Sequence, residues 1–259
     1  MTVNTTVHLC HATMDQAPAD WGGNYTKTIH QSPNSTVDPG KVTLPDGFTV
    51  VVTGAGKGLG EYIAKAYVQA RASAIIITSR TASDLDRVKG ELEKIASDNG
   101  QSLRVFTIVG DASKEEHYRE IKHVLEAKHG SRLDCLINNA GTIGSYKGFT
   151  ERLTDTSSED MKRMIDLNYL GPCYSMQYLI PLMLNKESSG KTIVNITSMA
   201  AHGSRGLIGY GTSKIALNRV TQHVGESFAE EGLVCVALHP GGVLSDSGQK
   251  MPESFQASK

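Results

Sequence analysis

Hydrophobic and polar residues change their arrangement along the chain near residue 47. From there on, short apolar runs rich in β-branched residues alternate with longer stretches of helical periodicity. The apolar runs predict strands at 48–53, 74–78, 104–109, 134–137, 192–197 and 234–238. The stretches between them predict helices near 59–71, 83–97, 114–129, 158–185 and 210–231. Strands that are apolar on both faces form a buried parallel sheet with helices on either side. The pattern therefore predicts a doubly wound, Rossmann-like α/β fold with three layers, α/β/α.

Residues 1–46 lack this alternation. They are rich in Thr, Asn, Asp, Pro and Gly, with only scattered apolar residues such as Trp21, Tyr25 and Ile29. Such a composition does not bury enough apolar surface to form a core. We therefore expect residues 1–46 to be a polar N-terminal arm and residues 47–259 to be a single α/β domain.

Composition and charge narrow the choice of partners. The formal net charge is −1, which gives no basic field for nucleic acid or anionic lipid. The cysteines are widely spaced and form no CxxC pair, so we expect neither a disulfide framework nor a bound metal. The first twenty residues contain no apolar signal region, and no stretch reaches the length of a membrane span. The sequence thus favours a small-molecule partner and predicts a cytoplasmic protein that binds neither nucleic acid nor membrane.

The segment TGAGKGLG occupies residues 53–60, between the first predicted strand and the first predicted helix. Its GxxxGxG spacing alone is as typical of a simple turn as of a nucleotide site. Its position favours the nucleotide site, because backbone without Cβ atoms can approach a pyrophosphate there and the helix N-terminus offers unpaired N–H groups. The residues expected to bind the phosphates are Gly54, Lys57, Gly58, Leu59 and Gly60.

The end of the second predicted strand distinguishes NAD(H) from NADP(H). NAD-binding sheets usually offer an acid to the adenosine ribose there, but this chain has Thr78-Ser79-Arg80, and Asp84 follows only in the next helix. Arg80 can bind a 2′-phosphate bidentately, Ser79 can donate a hydrogen bond to it, and Lys57 adds a second cation. We therefore expect NADP(H). The alternative is that Arg80 and Lys57 are solvated surface cations.

Candidate acid/base groups lie in the segment NITSMAAHGSRGLIGYGTSK, residues 195–214. Ser198 comes just after a predicted strand, and the four-residue spacing of Tyr210 and Lys214 puts both on one face of the next helix. A cation such as Lys214 can stabilise the phenolate of Tyr210 and lower its pKa, while also donating to a nicotinamide ribose. Ser198 can hold a substrate carbonyl oxygen while Tyr210 gives or takes its proton.

A second YxxxK spacing occurs at Tyr118 and Lys122. It lies on an earlier helix, before the fourth predicted strand rather than after the fifth. Twelve residues before Tyr118 stands Phe106, whereas Ser198 stands twelve residues before Tyr210. Motif matches must be judged by such context. We expect Tyr118 and Lys122 to be an exposed helical pair without a catalytic role.

Taken in this order, the glycine turn, Ser198, Tyr210 and Lys214 make the chain similar to the short-chain dehydrogenase/reductase family, from residue 48 to about residue 248. Further matching pieces are Gly110-Asp111-Ala112-Ser113, Asn138-Asn139-Ala140-Gly141, Asn168, and the pair Pro240-Gly241. The resemblance implies an NADP(H)-dependent oxidoreductase that transfers a hydride between nicotinamide and a carbonyl or secondary alcohol of a small organic substrate. Its catalytic group would be Asn168, Ser198, Tyr210 and Lys214.

The resemblance also implies roles for individual residues. Asp111 would meet the adenine amino group, and the backbone of Asn139, Ala140 and Gly141 would approach the adenosine side of the cofactor while the asparagines brace the central strands. Asn168 would interrupt a helix and hold a water that relays protons to Lys214. The cofactor would also be bordered by Tyr210, Lys214, Pro240, Gly241, Val243 and Ser245, the last two beside the nicotinamide carboxamide.

The chain departs from the family pattern after Gly241. The family normally continues with a substrate-covering segment, a seventh strand and a final helix, and the sequence predicts neither that strand nor that helix. A non-catalytic NADP(H)-binding sensor, or a decayed enzyme without a complete substrate pocket, is therefore the alternative function. The resemblance further implies a homodimer through the helices 158–185 and 210–231.

Overall fold

Strands and helices alternate along the chain as the apolar pattern predicts. The computed structural model describes residues 36–145, 152–185, 188–203 and 207–241. The strands are β1 (Thr49–Val52), β2 (Ala74–Ser79), β3 (Arg104–Val109), β4 (Cys135–Asn138), β5 (Thr192–Ile196) and β6 (Val234–Leu238). The helices are α1 (Gly58–Gln69), α2 (Ala82–Asp98), α3 (Glu115–His129), α4 (Ser158–Ile165), α5 (Gly171–Met183) and α6 (Ile208–Ser227). A π-helical segment, Asp166–Leu170, joins α4 to α5.

All six strands are parallel and lie in the order β3-β2-β1-β4-β5-β6. Val52 of β1 is in register with Ile77 of β2 and with Ile137 of β4, so these strands end at one edge of the sheet. The chain moves outward from β1 on one side and from β4 on the other. The switch point between them is where open α/β sheets bind their ligands. This is the predicted doubly wound, Rossmann-like fold.

The sheet separates two hydrophobic cores, and strand residues face them alternately. In β1, Val50 and Val52 face the first core and Val51 faces the second. Helices α1 and α2 cover the first core, whereas α3 and α5 cover the second with α6 packed beside them. The three valines are fully buried, which explains why the strand reads as a continuous apolar run.

The two long predicted helices differ in detail from the structure. The helix predicted at 158–185 is divided by the π-helical segment, where one extra residue per turn shifts the hydrogen-bond ladder. The helix predicted at 210–231 begins at Ile208 and ends at Ser227, because the chain then turns through Gly232, with φ of +77°, to enter β6.

The prediction that Tyr118 and Lys122 form an exposed pair is wrong for Tyr118. Its side chain is only 1% exposed, and its hydroxyl donates to the carbonyl oxygen of Ala112 at 2.8 Å. Tyr118 lies three residues before Ile121 on the buried face of α3, and the periodicity of that helix accounts for its burial. Lys122 lies 3.8 Å from Glu126 on the same helix.

Strand β6 forms one edge of the described sheet. Helix α6 packs beside it, while Val234, Val236 and Leu238 lie on the other face and are 51%, 42% and 50% exposed. Residues 242–259 and 1–35 lie outside the described residues, so the absence of a seventh strand and the polar arm at 1–46 stay predictions. Within the described ranges, no helix combines the length and apolar character needed to cross a bilayer.

Candidate active site

The glycine turn joins β1 to α1 at the carboxyl edge of the sheet. Gly54 and Gly58 have φ of +67° and +59°, a region that favours glycine. A Cβ on Gly60 would lie 2.4 Å from the carbonyl oxygen of Gly54, so a larger residue has no space there. Partly exposed backbone without Cβ atoms therefore borders the N-terminus of α1, which fits a pyrophosphate. Lys57 is exposed just before the helix, and Leu59 is half-buried in its first turn.

Asn139 holds this turn against the end of β4. Its Nδ2 donates to the carbonyl oxygens of Thr53 at 2.9 Å and Gly54 at 3.2 Å. In return, the hydroxyl oxygen of Thr53 accepts from the backbone N–H groups of Asn139 and Ala140, each at 3.1 Å. The predicted bracing of the central strands by Asn139 is confirmed, and it fixes the geometry of the switch point.

A buried network of polar side chains also links β4 and β5 to helices α5 and α6. Nδ2 of Asn138 donates to Oδ1 of Asn195 at 2.8 Å, and Oδ1 of Asn138 accepts from the hydroxyl of Ser175 at 2.7 Å. Nδ2 of Asn195 donates to the hydroxyl oxygen of Thr221 at 2.8 Å. Each buried amide in this network is paired, so the network connects α5 to α6 by way of β4 and β5 and contains no unsatisfied group.

The ends of β2 and β3 bring together the residues predicted to bind adenosine. A Cβ on Gly56 would lie 2.7 Å from the hydroxyl oxygen of Ser79, so the glycine turn and the end of β2 are in close contact. Arg80 is exposed, and its positive charge stabilises the carboxylate of Asp111, which follows β3. Burial raises the pKa of Asp111, but hydrogen bonds from Ser113 and the charges of Arg80 and a neighbouring lysine outweigh it. The carboxyl pKa consequently lies below its ordinary value.

Asn168 lies in the π-helical segment and is fully buried. Its Oδ1 accepts from the N–H of Thr142 at 2.8 Å, and its Nδ2 donates to the carbonyl oxygen of Thr142 at 2.8 Å and to the hydroxyl oxygen of Ser213 at 3.0 Å. A Cβ on Gly141 would lie 3.2 Å from Oδ1 of Asn168 and 3.7 Å from Nζ of Lys214. The helix interruption implied for Asn168 is present, whereas the proton relay stays a prediction.

Ser198, Tyr210 and Lys214 meet although they come from different elements. Ser198 follows β5 in extended conformation, and its side chain is hydrogen-bonded to that of Tyr210. Nζ of Lys214 lies 5.7 Å from the centroid of the Tyr210 ring and donates to the carbonyl oxygen of Ile196 at 2.7 Å. The structure thus brings together the three side chains that the sequence proposed for acid/base chemistry.

Burial dominates the protonation of this group. It raises the pKa of Tyr210, and the hydrogen bond with Ser198 only partly opposes that rise. It lowers the pKa of Lys214 to about 8. Desolvation of the phenolate is the largest influence on the Tyr210 pKa, and the expected lowering by Lys214 is not found in this structure.

The end of β6 carries the last predicted site residues. Pro240 and Gly241 follow the strand at the carboxyl edge, and Gly241 has a φ of +80°. Val243 and Ser245, expected beside the nicotinamide, lie outside the described residues.

Comparison with known proteins identifies the family of this chain. The sequence profile that defines short chain dehydrogenases matches residues 48–255. The chain belongs to the short-chain dehydrogenase family. Among its relatives, the short chain dehydrogenase pgmD of Aspergillus terreus is 53% identical over 233 residues, which are 88% of this chain and 74% of that protein.

Two solved structures of dinucleotide-bound oxidoreductases are each 25% identical to this chain with a TM-score of 0.65. An NAD+-bound xylitol dehydrogenase matches 75% of this chain and 70% of its own. A metagenomic short-chain oxidoreductase in complex with NADP matches 77% of this chain and 83% of its own. As a short-chain dehydrogenase, this chain is an oxidoreductase that uses a nicotinamide cofactor. Because its structural neighbours hold either dinucleotide, the preference depends on its own residues.

Three residues that contact the predicted catalytic residues were not themselves predicted from the sequence. Ser213 accepts from Asn168 and donates to the carbonyl oxygen of Tyr210 at 2.7 Å, which ties two predicted catalytic residues together. Its position three residues after Tyr210 on one helix was a usable signal. Thr142 contacts Asn168 through backbone atoms, and the Ile196 carbonyl accepts from Lys214. No residue type marks such backbone roles.

Proposed function

We propose that this short-chain dehydrogenase transfers a hydride between NADP(H) and a carbonyl group or secondary alcohol of a small organic substrate. The observation that carries the proposal is the meeting of Ser198, Tyr210 and Lys214 at the carboxyl edge of the sheet. Gly141 links this group to the glycine turn, since it lies beside Lys214 and follows the residues that brace that turn. When bound, the nicotinamide ring supplies or accepts the hydride.

The side chains of this group divide the remaining chemistry among them. The Tyr210 hydroxyl gives its proton to the substrate oxygen in reduction and takes it back in oxidation. Its raised pKa keeps the proton in place until negative charge develops on that oxygen. Ser198 donates a hydrogen bond to the same oxygen, and Lys214 places a buried ammonium group beside the phenolate. Asn168 holds the water that resupplies the proton.

Residues at the adenosine end support NADP(H) over NAD(H). Arg80 and Lys57 are exposed cations at the ends of β2 and the glycine turn, and Ser79 contacts that turn. We assign the 2′-phosphate to Arg80 and Ser79, and the adenine amino group to Asp111. The assembled catalytic group favours the enzyme over a non-catalytic NADP(H)-binding sensor.

We also propose that the protein is cytoplasmic and forms a homodimer through the helices 158–185 and 210–231. In this dimer Ile215 of α6, which is 50% exposed in the single chain, would lie at the interface.

The Tyr210→Phe variant tests the mechanism. Loss of the general acid is expected to lower turnover of NADPH with a mixed carbonyl panel by at least about 100-fold while the dissociation constant for NADPH stays close to wild type. Tyr118→Phe is the matched control, since it alters the other YxxxK pair, and it should keep turnover. Full activity in Tyr210→Phe would contradict the proposed acid. Tight NADPH binding by wild type without turnover on any carbonyl would favour the sensor.

The Arg80→Asp variant tests the cofactor preference. Replacing a bidentate donor by an acid should raise the dissociation constant for NADPH about tenfold or more and leave or improve that for NADH. Fluorescence titration with both dinucleotides measures this. Arg71→Asp makes the same charge change at the far end of α1 and should not alter the ratio. An unchanged affinity for NADPH in Arg80→Asp would rule out the assignment.

A further inference from the structure

Four charged side chains of alternating sign form ion pairs between the first turns of α1 and the middle of α2. Nη2 of Arg87 lies 2.6 Å from Oε2 of Glu61, and Nη1 of Arg87 lies 2.8 Å from Oε1 of Glu91. Nζ of Lys65 lies 2.6 Å from Glu61 and 2.5 Å from Glu91. We call these four residues the α1–α2 charge cluster. It lies directly beside the glycine turn, because Glu61 follows Gly60.

Arg87 also makes one contact outside the cluster, with the glycine turn. Its Nη2 also donates to the carbonyl oxygen of Gly56 at 3.0 Å. Asn139 holds the carbonyl oxygens of Thr53 and Gly54, and the N–H of Ala55 donates to the end of β2. Arg87 therefore fixes the later part of a turn whose earlier part is fixed by Asn139.

Gly56 is also the point where the turn contacts the adenosine end. A Cβ on Gly56 would lie 2.7 Å from the hydroxyl oxygen of Ser79 and 3.0 Å from Cβ of Asp84. Since the peptide of Gly56 has so little clearance, a shift of its carbonyl changes the separation of the turn from β2. The phosphate-binding turn and the residues assigned to the 2′-phosphate are thus coupled through one peptide unit.

We propose that Arg87 is a positioning residue for the dinucleotide: it holds the Gly56 peptide so that the glycine turn and the end of β2 keep the separation that the cofactor requires. The inference rests on the proposed function, because it assigns the pyrophosphate to this turn. Arg87 suits the role because its rigid planar guanidinium contacts the Gly56 carbonyl oxygen and the carboxylates of Glu61 and Glu91 at once.

Charge balance is a competing explanation for any effect of Arg87. The carboxylate of Glu61 is mostly buried in the first turn of α1, where the pyrophosphate is assigned. The charge cluster is neutral with two cations and two anions, and without Arg87 one cation would face two anions. The resulting repulsion would weaken cofactor binding without any movement of the turn. The experiment must therefore separate charge from position.

Two measurements on the full chain distinguish an effect of charge from an effect of position. Dissociation constants for NADPH and NADH are measured by fluorescence, and amide hydrogen exchange of residues 54–60 is followed by mass spectrometry without cofactor. The variants are Arg87→Met, Arg87→Lys and the double variant Arg87→Met/Glu61→Gln. Arg119→Met is the matched control, since it removes an arginine from an ion pair with Glu115 on α3. Thermal melting verifies that each variant is folded.

We expect Arg87→Met to raise the dissociation constant for NADPH about tenfold or more, the size expected for losing a hydrogen bond from a charged donor, and to speed exchange in residues 54–60. Arg87→Lys should recover part of the affinity, whereas the double variant should stay weak because Gly56 is still unheld. Wild-type affinity in the double variant, or unchanged exchange in Arg87→Met, would overturn the positioning role. If the wild type binds neither dinucleotide, the proposed function fails, and the exchange result alone decides whether Arg87 holds the turn.

Discussion

His117 shows how a single buried residue sets a pH dependence. It lies in the first turn of α3, is 4% exposed, and within the described part of the chain neither ring nitrogen has a hydrogen-bond partner. Burial lowers its pKa, and the negative charge of Asp111 only partly opposes this. The ring is therefore neutral in the folded protein under conditions in which the unfolded chain begins to bind a proton.

The sign of the pH effect follows from this difference. Between the unfolded value near 6.5 and the lower folded value, the unfolded state binds more protons, so stability is complete above about pH 6.5 and is lost as pH falls. One such group contributes a slope of at most about 1.4 kcal/mol per pH unit. Carboxylates with lowered pKa values, such as those of Glu61 and Asp134, lose their contribution only at more acidic pH.

The His117→Phe variant tests this at the residue scale. Its free energy of unfolding in urea should fall less than that of wild type between pH 7 and pH 5, because one of the buried neutral histidines is gone. His129, whose pKa is also lowered, accounts for part of the remaining slope. His123→Gln changes an exposed histidine on the same helix and should keep the wild-type slope. An identical slope in His117→Phe would show that His117 has no part in the acid sensitivity.

At the scale of elements, the π-helical segment is connected to α6 through side chains. The sequence implied that Asn168 interrupts a helix, and the structure shows how the interruption is anchored: Asn168 binds Thr142 on one side and Ser213 on the other. Ser213 is fully buried and carries the contact on to the carbonyl oxygen of Tyr210. The hydroxyl group of Ser213 therefore links the π-helical segment directly to α6.

The Ser213→Ala variant tests this connection. It leaves Nδ2 of Asn168 with one partner fewer in a buried site, and the free energy of unfolding should drop by about 1–3 kcal/mol. Turnover should fall as well, because Tyr210 and Asn168 lose their common anchor. Thr212→Ala, at the exposed neighbouring position, should change neither quantity. Unfolding in urea and steady-state kinetics measure the two effects, and a variant with wild-type values for both would contradict the anchoring role.

At the scale of the whole molecule, the sheet differs between its centre and its β6 edge. Strands β1 and β4 are buried among neighbours, whereas Val234, Val236 and Leu238 of β6 are about half exposed. Edge strands open before central ones. Amide exchange in β6 should therefore be at least about 100-fold faster than in β1. Equal protection of the two strands would mean that a further segment or a second chain pairs with the outer edge of β6.

Much of this protein follows from short sequence spacings. The strands were predicted to within one residue at each end. For β1, β2 and β4 the reason is that a strand buried on both faces is apolar almost throughout. The glycine turn and the Tyr210–Lys214 pair are likewise local, since a positive φ and a four-residue helical spacing act within a few residues of the chain. Family resemblance placed these pieces in one order, from which the oxidoreductase class follows.

Tertiary structure alone decided which distant residues meet. Arg87 is 31 residues from Gly56, and Asn168 is 45 from Ser213, so their contacts depend on how helices pack across the sheet. The same packing desolvates Tyr210 and raises its pKa, whereas the spacing to Lys214 had suggested a lowered pKa. Sequence spacing specifies which residues share an element, whereas desolvation and hydrogen bonding between elements arise only when those elements are packed together.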